Sequence, residues 1–162
     1  MAGLVNPSRP SGERLRILEE RLRILEDRAA IADLISRYGP AVDSGDGEAA
    51  AALWTDDGEY VFDDTALDIE GIRGLTGLPS QRAYMAAGCA HVLSAPRIDL
   101  RADVATAVTH SVVLVHDGPA WTAVRVSANR WELVRTGDGW RIRSRMNRLL
   151  DGSAAARRLL VP

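Results

Sequence analysis

Arg37-Tyr38-Gly39-Pro40-Ala41-Val42-Asp43-Ser44-Gly45-Asp46 is the stretch where one long helical period stops and a shorter one begins. Upstream of it, Ile31, Leu34, Ile35 and Tyr38 recur at helical spacing. Proline removes a helical hydrogen bond and crowds the preceding turn, so a kink or stop is expected at Gly39-Pro40. Tyr38 and Asp43 would point about 140° apart on a straight helix of roughly 3.6 residues per turn. A bend at Pro40 is what lets both reach one cavity. Ser44 or Asp46 then caps a second short helix over Glu48 to Trp54.

Working outward, residues 1–12 hold prolines, Ser, Asn and Gly without periodicity and read as a flexible tail. The unit Glu-Arg-Leu-Arg-Ile-Leu-Glu follows twice in tandem, at 13–19 and 20–26. It lays Leu15, Leu18, Leu22 and Leu25 along one helical stripe flanked by Arg and Glu. Two heptads are too few for a coiled coil alone, so the stripe is expected against its own domain or a neighbouring subunit. From Gly58 the period changes to two. Glu59–Phe62 and Ala66–Glu70 read as a short hairpin, Pro79–Ala87 as a helix, and 89–101, 104–116, 121–135 and 139–149 as long strands. Asp117-Gly118-Pro119 and Gly137-Asp138-Gly139 are turn signals between the later strands. Helices first and a strand meander last predict an α+β fold. Its expected form is a cone-shaped α+β barrel with N-terminal helices packed in a strongly bent antiparallel sheet. One domain is expected over 13–152, with a C-terminal tail over 153–162.

Composition narrows the functions. The formal charge of −2 does not suit a nucleic-acid surface. All twenty basic residues are Arg, which removes Schiff-base chemistry and every lysine-dependent phosphate loop. Cys89 has no partner for an internal disulfide, and no apolar run approaches a membrane span, so a cytoplasmic protein without a membrane partner is expected. His110 and His116, on one strand face, would stand about 20 Å apart at roughly 3.3 Å per residue, too far to share a zinc ion. No cofactor or metal is expected.

His91 and His110 lie within otherwise apolar strand patterns, where a titratable group needs a partner. Parity places His110 with Val104, Val108 and Val112 on the bulkier face, expected inside. Ser127 and Asn129 share a face and, if inward, are neutral donors for a substrate oxygen. Trp54, Tyr60 and Trp131 are candidate substrate-contacting aromatics. Arg141, Arg143 and Arg145 read as a solvated or subunit-contact face opposite Trp140, Ile142 and Met146.

The run Arg28–Tyr38, then Val42-Asp43 with Asp46, Leu53–Tyr60, His91-Val-Leu-Ser and Asp138–Ile142 resembles the SnoaL-like branch of the nuclear transport factor 2-like superfamily over about residues 14–149. The resemblance implies catalytic roles for Asp43 and His91, whose spacing matches the Asp–His pair of the family's dehydratase and dehydrochlorinase members. Tyr38 matches the dehydratase tyrosine, and His110, Ser127 and Asn129 match a second histidine and a Ser-x-Asn. It implies a cofactor-independent dehydratase-type lyase acting on an apolar polycyclic, polyketide or steroid-like molecule, with Tyr38 or His110 as the acid. An isomerase or cyclase using the same residues, or a ligand-binding protein without catalysis, are the alternatives. A homo-oligomer, trimer or dimer, is expected through the duplicated heptad or the outer face of the sheet.

Overall fold

The structure, a computed structural model, describes residues 10–161. Helix α1 spans Ser11–Ser36, breaks at Arg37, and continues in a new direction as α2, Tyr38–Asp43. The amide that Pro40 lacks is the one that would have bonded Ser36, so the break falls just upstream of the proline. Helix α3, Gly47–Ala51, is capped by Asp46, whose carboxylate accepts from the Ala49 N–H at 2.8 Å. Of the tail expected over 1–12, residues 1–9 lie outside the described residues, and Ser11 already begins α1.

The strands are β1 (Trp54–Phe62), β2 (Thr65–Leu67), β3 (Cys89–Leu93), β4 (Arg97–Arg101), β5 (Val104–Asp117), β6 (Ala120–Thr136) and β7 (Gly139–Leu149). They form one seven-stranded sheet ordered β2-β1-β7-β6-β5-β3, with β4 beside β3 along β5. The sheet is mixed: β1 runs parallel to β7, and the other pairs are antiparallel. The strand expected over 89–101 is interrupted at Ser94-Ala95-Pro96, where the Ser94 hydroxyl takes the His110 N–H at 3.0 Å. Asp68 caps a short helix α4 (Ile69–Arg73) where the second hairpin strand was expected to run on, so that hairpin ends at Leu67. Helix α5 is Pro79–Ala87. Residues 153–162, expected as a tail, contain helix α6 (Ala154–Leu159), which buries Ala156 and Leu159.

Two strand faces differ from simple alternation. Along β5 the inward residues are Ala105, Ala107, Thr109 and Ser111, while His110 is exposed on the outer face. The inside of a curled sheet has less room per residue, so the small side chains go inward. Small volume, not hydrophobicity, identifies this inner face. Along β7, Glu132 pairs with Ser144 but Leu133 pairs with Ile142, leaving Arg143 as a bulged extra residue. Trp140 and Ile142 point inward before the bulge; after it Arg145 and Asn147 do, each 3% exposed, and Met146 turns out. Arg145 is therefore not on the solvated face expected for it.

The core packs Ile31, Leu34, Ile35 and Val42 against Trp131, Leu133 and Ile142. Buried Asp27 ties α1 to the sheet, accepting from Arg135 Nη2 at 2.5 Å and Trp140 Nε1 at 3.1 Å.

Candidate active site

Asp43 ends α2 beside His91 in β3. The His91 ring Nδ1 lies 2.6 Å from Asp43 Oδ1, and the His91 backbone N–H donates to Oδ2 at 2.7 Å. The Cys89 thiol donates to Oδ1 at 3.3 Å. This approach of helix to strand depends on Gly39, because a Cβ there would stand 2.3 Å from the His91 carbonyl oxygen. Gln81, buried on α5, donates from Nε2 to the Val42 carbonyl at 3.1 Å and holds α5 over the same turn.

Burial pushes the Asp43 carboxyl up, but hydrogen bonds from the His91 ring, the His91 backbone and Cys89 outweigh it and hold the carboxyl below its ordinary value. Asp43 is thus ionised at neutral pH and can only accept. His91 Nδ1 is therefore the donor in this hydrogen bond. Burial and the Asp43 carboxylate push the Cys89 thiol up to about 11. It stays protonated at neutral pH, unlike an activated nucleophile. Asp43, Cys89 and His91 offer metal-ligand atom types within 4.8 Å of one another. The 2.6 Å N···O separation is shorter than the roughly 3.3 Å between two ligand atoms on tetrahedral zinc with bonds of about 2.0 Å. That distance is a hydrogen bond's.

The pair opens on a cavity of about 200 Å³. Tyr38, Tyr60, Phe62, Leu75 and Val113 form its apolar walls, and Arg125, Arg145 and Asn147 also line it. The Arg145 guanidinium stacks 4.2 Å from the Tyr38 ring centroid, 4.3 Å from that of Trp131 and 4.5 Å from that of Tyr60. Its Nε and Nη2 donate to Asn129 Oδ1 at 3.0 and 2.8 Å, and Asn147 Nδ2 donates to the same oxygen at 2.8 Å. Its Nη1 is buried without a hydrogen-bond partner among the described residues. No carboxylate among the described residues pairs with it. Burial raises the Tyr60 phenol, with the charge of Arg145 opposing, so Tyr60 remains a neutral donor.

The expected site residues therefore separate into groups. Tyr38, Tyr60 and His91 line the cavity, and Asp43 backs His91. Ser127, Asn129 and Trp131 point inward and are fully buried, yet stand behind the cavity. Asn129 holds Arg145, Asn147 and Ser111 together, and Trp131 donates to Thr109 at 3.0 Å. Trp54 packs behind Tyr38, with ring centroids 5.8 Å apart. His110 has its side chain on the outer face and takes no part. Arg125, Arg145, Asn147 and Tyr84 are cavity residues that sequence reasoning missed. The available signal was a polar residue two positions after Arg145 in a strand whose neighbours were read as outward.

The family model of a SnoaL-like domain matches residues 23–146. The chain belongs to the SnoaL-like family. This SnoaL-like chain is similar to an NTF2-like protein with a cystatin-like fold from Novosphingobium aromaticivorans, with 49% identity over 88% of this chain and 94% of that one and a TM-score of 0.86. It shares its fold with hexachlorocyclohexane dehydrochlorinase LinA-type3 from Novosphingobium barchaimii LL02, at 21% identity over 80% of this chain and 90% of that one, TM-score 0.68. The fold is shared too with ActVI-ORFA from Streptomyces coelicolor, at 24% identity over 77% and 98% of the two chains, TM-score 0.66. Comparison with curated proteins found no match. No helix among the described residues is long and apolar enough to cross a membrane.

Proposed function

We propose that this SnoaL-like chain is a cofactor-independent lyase that removes water from a compact, mostly apolar ring compound bearing a carbonyl. The observation that carries the reading is that an Asp-held imidazole and a buried guanidinium line one cavity. His91 Nε2 removes a proton next to the carbonyl. Asp43 fixes the Nδ1 tautomer and stabilises the imidazolium that forms. Arg145, held by Asn129 and three rings, places a fixed positive charge in the cavity wall that stabilises the oxygen on which negative charge develops. Tyr38 protonates the departing hydroxide and is reprotonated from the imidazolium through solvent. General acid–base catalysis of this kind is worth about 10²–10⁴ and a preorganised charge donor about 10²–10³. The cavity, at about 200 Å³, falls below the usual range of about 300–1,000 Å³ for drug-sized ligands. It favours a one- or two-ring substrate over a steroid.

The same charge-stabilised intermediate serves a double-bond isomerase or cyclase, and Arg145 supports that second reading equally. Product mass separates them. Incubation with a series of β-hydroxyketones on one or two rings, followed by mass spectrometry, is expected to yield a conjugated enone lighter by one water. A converted product of unchanged mass assigns isomerisation or cyclisation. Tight binding with no conversion across the series would make the chain a ligand-binding protein.

A further inference from the structure

In the first half of α1 the leucine stripe is left uncovered by the described residues. Leu15, Leu18, Leu22 and Leu25 are 57%, 48%, 55% and 63% exposed, whereas the helix buries Asp27, Ile31, Leu34 and Ile35 further on. With the leucines at a and d of a heptad, Leu15 and Leu22 are a, Leu18 and Leu25 are d, and Ala29 continues the seam at a. Half-buried Ala32, packed on its own core, ends it. The residues anchoring α1 to the domain occupy c, f and g. The leucine stripe thus lies on the side of the helix away from its own sheet.

The charges flanking the stripe identify its occupant. The g positions are Arg14, Arg21 and Arg28, and the e positions are Glu19, Glu26 and Asp33. In a parallel pair, each g residue meets the e residue five positions on in the partner helix. That sets Arg14 against Glu19, Arg21 against Glu26 and Arg28 against Asp33, opposite in sign every time. In an antiparallel pair g meets g and e meets e, which sets Arg against Arg and acid against acid. Small Ala29 at the domain end lets two helices approach closely, whereas three alanines around one axis would leave a void there.

We infer that residues 11–29 form a parallel, in-register, two-stranded coiled coil with a second copy of this chain. The helix is already ordered by its docked C-terminal half, so pairing does not have to nucleate it, which offsets the small number of heptads. With each domain docked on the side opposite the seam, the two domains flank the helix pair without competing for it.

The test uses the full chain and light scattering after size exclusion, at micromolar concentration. The wild type is expected to have the mass of a dimer. Variant one carries Arg14→Glu, Arg21→Glu and Arg28→Glu; variant two carries Glu19→Arg, Glu26→Arg and Asp33→Arg. Each alone is expected to be monomeric with an unchanged far-ultraviolet circular dichroism spectrum, and an equimolar mixture is expected to restore a dimer containing one copy of each. Separately, Ser11→Cys, at a d position, is expected to cross-link as a dimer on oxidation while the wild type does not. Antiparallel helices would hold those sulfurs roughly 27 Å apart, at about 1.5 Å per residue over the seam. A monomeric wild type overturns the inference, as does a trimer, a dimer that survives in both charge variants, or a mixture that stays monomeric while both variants remain folded.

Discussion

Replacing Arg145 with Met separates activity from stability at a single side chain. The guanidinium is 3% exposed and has no carboxylate partner among the described residues; it is held by one amide oxygen and three ring faces. Losing three desolvated cation–π contacts costs about 0.5–2 kcal/mol each. Against that, removing a buried charge recovers a desolvation penalty of several kcal/mol. Asn129 Oδ1 is not orphaned, since Asn147 still donates to it at 2.8 Å. Met fills similar volume with an adaptable thioether. The two sides nearly cancel, and the folding free energy is expected to change by less than about 2 kcal/mol in either direction. Activity is expected to fall by about 10²–10³ in kcat/KM, or roughly 2.7–4.1 kcal/mol of transition-state stabilisation. The assay is enone absorbance with a β-hydroxyketone substrate, beside urea unfolding followed by circular dichroism. Loss of more than about 3 kcal/mol of stability, with activity merely tracking the folded fraction, would make Arg145 a core strut and refute the reasoning.

Gly39→Ala is expected to force α2 off β3, since its Cβ would stand 2.3 Å from a backbone oxygen. It should cost about 1–3 kcal/mol of stability and on the order of 10²-fold in activity through misplacement of Asp43; activity near wild type would show that the helix yields elsewhere. Asp27→Ala leaves the buried Trp140 N–H unsatisfied and is expected to destabilise by about 1–3 kcal/mol without altering KM, measured by denaturant unfolding and initial rates. The folded Asp43 carboxyl lies below its unfolded value of about 3.9. Its contribution to stability is therefore fully present above that pH and is lost as pH falls through the folded value. Asp43→Asn should flatten that acid limb in pH-dependent unfolding, and an unchanged limb would assign it to other carboxylates.

Much of the architecture was legible because local signals agreed with one another. The break before Pro40, the Asp46 cap and the two late turns each rest on chain chemistry that tertiary packing did not override. The placement of Asp43 near His91 rested on family resemblance, since the two are 48 residues apart and no local rule joins them. What could not be read from the chain was curvature. Alternation alone sends His110 in and Arg145 out, and both placements fail for reasons of three-dimensional shape. Inside a tight curl, small Ala105 and Ala107 outcompete valines, and one bulged residue, Arg143, reverses every side chain beyond it. The parallel pairing of β1 with β7 is likewise a long-range choice that no turn signal announces.

The central claim is that His91, held by Asp43, removes the proton that starts elimination. Product analysis by mass spectrometry, comparing wild type, His91→Gln and His110→Gln on one β-hydroxyketone, tests it most directly. The account predicts a product lighter by one water from the wild type and from His110→Gln, with conversion by folded His91→Gln lower by about 10³ or more. Equal conversion by His91→Gln and the wild type would contradict it.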